Sequence, residues 1–429
     1  MTRTTADVTF LRGYNQALVM AVGRTARTFE RSTVVKATGL TPQAVSKVIA
    51  RLVADGLIRS AGVRRASIGK PAVVYELVPD SRYAIGAHVA RRTLRLVLVD
   101  LAGTVRHSAV SPLPSDFTPE QLLHTLKSGI DAITSGNDLR ARLTGVGLGM
   151  IGPLDHEHGL VRDAHGLRHW HDVPLRELAE AHLGLPVHLD KDVAAGITAE
   201  AWRHGGTFGD AALIMVESGI GGGFWLGGTA HRGAHTNAGE FGHTVVDLDG
   251  PLCVCGRHGC LEIVHNQAAD AGDIPRAARV LAIGVVNLLQ TLDLAHVVLA
   301  GADLLRHADI YLAAVEQAVQ ADTRRRDWLS TDVALSSLGA DAIAAGAAMQ
   351  VLDEHYGIPD LAPLGAQIDH SPGTRLLARA GVAVAPPADE TGASPLDGDA
   401  EEPSSRVPQP AAAGPRGGGR GRPPLGQRE

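Results

Sequence analysis

From Tyr83 onward the chain alternates strand-length apolar runs with longer stretches of helical spacing, and this pattern sets the fold class of that region as α/β. Strands are expected at Tyr83–Val89, Leu94–Val99, Thr144–Ile151, Pro186–Leu189, Ala211–Val216 and His296–Ala300. Helices are expected between them at Glu120–Ile133, Leu175–Ala181, Val193–His204 and Ile274–Leu292. The strand Pro186–Leu189 leads through Asp190-Lys191-Asp192 into a helix, which is where open α/β sheets bind ligands. From Pro386 to the end, 9 Pro and 8 Gly in 44 residues with no aromatic residue predict a disordered tail.

The first 80 residues have a different character. They hold 12 Lys/Arg against 5 Asp/Glu, a balance of +7, so the remainder of this −6 chain carries −13. A basic head on an acidic body points to a polyanionic partner for the head. Ser32 is expected to cap a short helix reaching about Ala37, and Thr38-Gly39-Leu40 supplies a tight turn. Thr41 then caps a second helix with Pro42 in its first turn. Val45, Val48, Ile49 and Leu52 fall on one face of it, leaving Gln43, Ser46, Lys47 and Arg51 outward. Two strands, Leu57-Ile58-Arg59 and Ala72–Leu77, flank a loop that contains Arg64, Arg65 and Lys70. Together these features predict a winged helix-turn-helix. Gln43, Ser46 and Lys47 would meet base edges, and Arg51, Arg64, Arg65 and Lys70 the DNA backbone or minor groove.

No run of about 20 apolar residues occurs and no secretory leader opens the chain, so a cytoplasmic protein without membrane spans is expected. All three cysteines fall in Cys253-Val254-Cys255-Gly256-Arg257-His258-Gly259-Cys260. An odd count packed this tightly is no disulfide framework, whereas three thiolates and one histidine satisfy a four-coordinate structural Zn²⁺. His243 is the expected fourth ligand, with His258 as the alternative. His156, His158, His165, His169 and His171 match no compact ligand set and read as a solvated loop near the cleft. Lys191 reads as a solvated strand-end cation, an anionic ligand such as a sugar phosphate being the alternative.

Ala238-Gly239-Glu240-Phe241-Gly242-His243, followed by Cys253-x-Cys255-Gly256-x-x-Gly259-Cys260-Leu261-Glu262, resembles the signature of the ROK family, which groups sugar-responsive repressors with sugar kinases. The resemblance extends to Gly219–Gly223, to Gly152-Pro153, and to Leu338-Gly339-Ala340-Asp341 with Gly346-Ala347-Ala348, covering about residues 10–355. The head, with Thr38-Gly39-Leu40 and Gly69-Lys70-Pro71-Ala72, resembles the repressor branch. This implies an actin-like, ribonuclease-H-like pair of lobes holding a hexose between them. By the same resemblance Asp192, Glu240, His243 and Glu262 contact the sugar hydroxyls. The expected division is a head at 1–80, lobes at 81–198 and 199–355, and a C-terminal extension from 356.

Departures from the family pattern bear on activity. His88 and Ala90 stand where kinase members carry the aspartate and glycine that hold Mg-ATP, so the metal-phosphate site is incomplete. Asp192 remains only as a degenerate base. Lys191 and Gly166 replace two sugar-contacting amides, and the run Gly219–Gly223 reads as an inherited turn. The function expected is a ligand-controlled transcriptional regulator, a repressor, of carbohydrate genes; it acts as a homodimer or tetramer on an inverted-repeat operator. A sugar kinase with an added head, and a regulator that no longer senses a small molecule, are the alternatives. Removal of residues 1–80 is expected to abolish DNA binding and leave a folded body.

Overall fold

In the computed structural model the described residues are 8–26, 28–64, 71–135, 138–164, 166–204, 208–323 and 330–357. Arg65, Lys70, His165 and the tail expected to be disordered lie outside them.

The head opens with a helix that the sequence pattern does not announce, α1 (Val8–Thr25), followed by β1 (Phe29–Glu30), α2 (Arg31–Thr38) and α3 (Pro42–Ala54). α2 begins one residue before Ser32, whose hydroxyl therefore meets the Glu30 carboxylate at 3.3 Å instead of capping the helix. Thr41 caps α3 as expected, accepting the Ala44 N–H at 3.2 Å, and Val45, Val48, Ile49 and Leu52 are its buried face. The wing strand β2 (Ile58–Arg64) continues well past Arg59 to pair with β3 (Ala72–Leu77), and β1 completes a sheet of order β1-β3-β2. Arg64 thus lies in a strand opposite Ala72, not in the loop.

The first lobe comprises β4 (Tyr83–Val89), β5 (Thr93–Asp100), β6 (Val105–Pro112), α4 (Pro119–Thr134) and β7 (Leu143–Met150). A small sheet of β8 (Leu154–Asp155), β9 (Leu160–Asp163) and β10 (His171–Val173) precedes α5 (Leu175–Leu183) and β11 (Val187–Lys191). The main sheet has order β11-β7-β4-β5-β6, with β7 parallel to both β4 and β11. α6 (Asp192–His204) then crosses to the second lobe: β12 (Ala211–Val216), β13 (Ile220–Leu226), β14 (Thr229–Ala230), α7 (Leu261–Asp270), α8 (Ile274–Leu292), β15 (His296–Ala300), α9 (Ala302–Leu305), α10 (Ala308–Thr323) and β16 (Asp332–Leu335). Its sheet, β14-β13-β12-β15-β16, repeats the first: a meander of three strands joined edgewise to two parallel ones. This duplicated plan is the actin-like, ribonuclease-H-like architecture that the resemblance implied.

The last described helix is α11 (Ala342–Tyr356), which returns to pack on β4, β7 and α6. Alanines and Gly346 bring α11 against α6, where a Cβ at Gly346 would run into the Ala195 carbonyl. The first-lobe sheet is therefore covered by the last described helix, and the lobes are interleaved in sequence. No described helix is long and apolar enough to cross a membrane.

The head is not a detachable module. Val19, Met20, Leu52 and Tyr75 of the head belong to one buried apolar cluster with Ala344, Ala348, Met349 and Leu352 of α11. At its edge Arg24 binds Asp353 at 3.2 Å and lies 4.2 Å from the centre of the Trp202 ring, and the Trp202 Nε1–H donates to the other Asp353 oxygen at 2.5 Å. Removal of residues 1–80, expected to leave a folded body, would expose this shared core.

Candidate functional site

A cleft of about 710 Å³, open to solvent, lies where strands of both lobes end. His88 lies near the end of β4 and the Ala90-Arg91 turn follows it, Ile151 and Gly152 follow β7, and Lys191 closes β11. Glu217, Ser218 and Gly219 follow β12 from the other side. These are the carboxyl ends of the parallel strands, where backbone groups and helix N-termini face a ligand. Asp192, Glu240, His243 and Glu262, separated by up to 70 residues in sequence, all line this one cleft.

Asp192 is the first residue of α6 and 7% exposed, and its Oδ1 accepts the Val193 N–H at 2.7 Å. Burial pushes its carboxyl above the ordinary range, against the opposing pull of His88 and Lys191. Glu262, in the first turn of α7, accepts the Ile220 N–H at 2.7 Å. Lys191 is not solvated. Its side chain is 7% exposed, and its Nζ donates to Glu240 Oε1 at 2.6 Å and to the Ala238 carbonyl at 3.1 Å. One residue earlier, buried Asp190 accepts from Arg232 at 2.8 Å and from Gln350 at 2.7 Å. Two ion pairs of opposite sense therefore tie β11 to residues 231–240.

The glycine run is not a turn. Gly219 sits in the β12–β13 connection, but Gly221, Gly222 and Gly223 are strand residues of β13. A Cβ on Gly223 would strike the Val193 carbonyl, so this glycine lets the start of α6 approach the second sheet. Sequence reading gives no role to Arg91, Glu217 or Ser218, although the last two stand where a recognised strand ends. Among the described residues the histidines at 156–171 form no metal-sized cluster. His156 Nδ1 instead meets the Thr236 hydroxyl at 2.8 Å.

His243, Cys253, Cys255 and Cys260 place one ligand atom each within 4.8 Å of one another, an arrangement that could hold a metal ion. Cys253 Sγ is 3.5 Å from His243 Nδ1, and Cys255 and Cys260 sulfurs are also 3.5 Å apart. Tetrahedral zinc–thiolate bonds set ligand atoms about 3.8 Å apart, so the set fits with little adjustment. Burial first, then the adjacent Cys255 and Cys253, pushes the Cys260 thiol up to about 12, so a thiolate there calls for a cation. His258, the alternative ligand, instead meets the Gly250 carbonyl through Nδ1 at 3.1 Å. His243 Nε2 faces Glu240 Oε2 at 3.8 Å, and Val254 also lines the cleft, so the cysteine loop forms part of the cleft wall.

On the head, Gln43, Ser46 and Lys47 are exposed on α3, and Arg51 is half-buried one turn further along. Arg64 is paired with Glu30 through two contacts, 2.5 and 3.0 Å.

Comparison with known proteins agrees with this fold. A model of the ROK family matches residues 84–272. The chain is 27% identical over 263 residues to the xylose repressor of Caldicellulosiruptor bescii, a match that covers 61% of this chain and 66% of that relative, just under two thirds of its length. It is 25% identical over 382 residues to the xylose repressor of Bacillus subtilis, covering 81% and 97%. Among solved structures, a ROK family transcriptional regulator homologous to the Escherichia coli Mlc protein superposes with a TM-score of 0.64 at 20% identity, over 81% of this chain and 98% of that one, and so shares its fold. With the two-motif signature, the cleft and the duplicated lobes in place, the chain carries a ROK family domain.

Proposed function

We propose that this chain is a sequence-specific DNA-binding transcriptional regulator, a repressor of carbohydrate-related genes, controlled by a sugar or sugar-derived ligand in the cleft. One observation carries the reading: α6 has Asp192 in the cleft at one end and Trp202 against Arg24 of the head near the other. A ligand that distinguishes two positions of α6 would shift the head between two populations. The relatives named as repressors support the same class. The protein acts as a homodimer or tetramer on an inverted repeat, and His243, Cys253, Cys255 and Cys260 hold one structural Zn²⁺. In this reading the chain is not an enzyme, since His88 occupies the end of β4 where Mg-ATP chemistry calls for a carboxylate.

Selection of bound DNA from random duplexes by the full-length protein, with and without D-xylose or D-glucose, tests the proposal. An inverted repeat whose recovery changes with sugar supports it; absence of any enriched sequence overturns it. Gln43→Ala and Lys47→Ala are each expected to lower discrimination between operator and random DNA by about 1–3 kcal/mol, the worth of one well-made pairing to a base edge. Arg64 must exchange Glu30 for a phosphate to act as a backbone clamp. Arg64→Ala, measured across a salt series, should flatten the dependence by about 0.9 for each phosphate that Arg64 neutralises. A second reading, DNA binding without sensing, draws on the Lys191–Glu240 pair, which already engages a cleft carboxylate. In that case the enriched sequence appears and no sugar alters it.

A further inference from the structure

The sequence directs attention to Lys191 as the group that answers an anionic ligand, but Glu240 neutralises it. The cleft contains another cation. Arg91 lies in the turn between β4 and β5, half-buried and lining the cleft, and makes no hydrogen bond or ion pair with any described residue. Its neighbour Arg92 is exposed and outside the cleft, as an ordinary surface cation would be. The Arg91 guanidinium lies over Gly166, where a Cβ would be 3.6 Å from its central carbon. With φ +80 and no side chain, Gly166 leaves that space open.

We propose that Arg91 reads an anionic group on the ligand, so that the cleft takes a sugar bearing a carboxylate or phosphate in preference to a neutral hexose. A planar guanidinium offers paired donors that match either oxyanion. The cleft carboxylates are partly committed. Glu240 pairs with Lys191, Glu262 accepts from the Ile220 amide, Glu217 from the Ala302 amide at 3.3 Å, and Asp192 from the Val193 amide. Three of the four, Glu217, Glu240 and Glu262, belong to the second lobe, whereas Arg91 projects from the first. A ligand spanning the cleft would place hydroxyls toward the carboxylates and its anion toward Arg91.

This inference rests on the sensing reading, and titration calorimetry on the full-length protein separates the two. The probes are D-glucose, D-xylose, D-glucuronate, D-glucose 6-phosphate and inorganic phosphate. Either the glucuronate or the 6-phosphate is expected to bind at least about tenfold tighter than D-glucose, the size of one charge-assisted contact, and whichever does identifies the anion. Arg91→Gln should erase that preference without changing the unfolding temperature, and Arg91→Lys should retain part of it. A neutral sugar that binds as tightly as both anionic sugars overturns the assignment to Arg91 and leaves sensing intact. An unchanged preference in Arg91→Gln, equal binding of inorganic phosphate by both proteins, or no binding of either anionic sugar also overturns it.

Discussion

Cys260→Ser in the full-length chain is expected to reduce bound zinc from near one per chain to a trace and to unfold the loop from Glu240 to Glu262. Cys260 is fully buried, immediately precedes α7, and so joins the donor cluster to the helix that carries Glu262. Thiolate-rich zinc sites contribute on the order of 10 kcal/mol of apparent folding free energy in small peptides, and a serine hydroxyl cannot replace a thiolate. Larger domains retain part of their structure without the metal, so the whole effect will not appear in the melting temperature. It should appear in metal content by atomic emission and in exchange protection of the amides from Phe241 to Leu261. A Cys260→Ser protein that keeps stoichiometric zinc would refute the ligand set. His243→Ala is expected to release the metal too, and also to alter the cleft, since the same ring faces Glu240.

Removing residues 1–80 is expected to damage the body as well as abolish DNA binding. The truncation exposes the faces of α11 and β5 that pack against Val19, Met20 and Leu52, and leaves Asp353 with Trp202 but without Arg24. Because the Asp353 side chain is 41% exposed, water takes up much of the loss of Arg24, which costs about 1 kcal/mol. Added to the apolar burial that disappears with the head, this should lower the melting temperature by about 10 °C or more, or render the fragment insoluble. Differential scanning calorimetry of the fragment beside the full chain is the check. Arg24→Met isolates the polar part: it should lose stability while keeping the head folded. A truncated body that melts with the full-length protein would show that the shared cluster carries little stabilisation.

The legible parts of the fold are those whose burial has a period. β4, β12, β15 and α8 have the boundaries the sequence predicts, because each is a compact apolar run or an amphipathic helix with a definite end. β13 is not legible, since Gly221–Gly223 have no strand preference of their own and are extended because α6 lies on them. α11 escapes sequence reading for the opposite reason: it is buried on every side from Ala342 to Leu352, so its apolar residues show no stripe. β6 faces solvent along much of its length and therefore lacks the apolar run of its neighbours. In the site, Asp192, Glu240, His243 and Glu262 are recognisable by motif and do share one cleft. The state of Lys191 is not, because a buried lysine is tolerable only with a partner, and that partner lies 49 residues further on.

The two ion pairs at the end of β11 limit how the cleft can move. Asp190 and Lys191 are consecutive strand residues, so their side chains leave opposite faces of an edge strand, and Arg232 and Glu240 meet them from one connecting segment. The segment grips the strand like a two-pin connector whose pins have opposite polarity. Sliding it along the strand in either direction would draw Arg232 away from Asp190 and Glu240 away from Lys191, leaving two buried strand charges without their partners. One strand and one segment carry both pairs, so a ligand that pulls on either pin pulls on both.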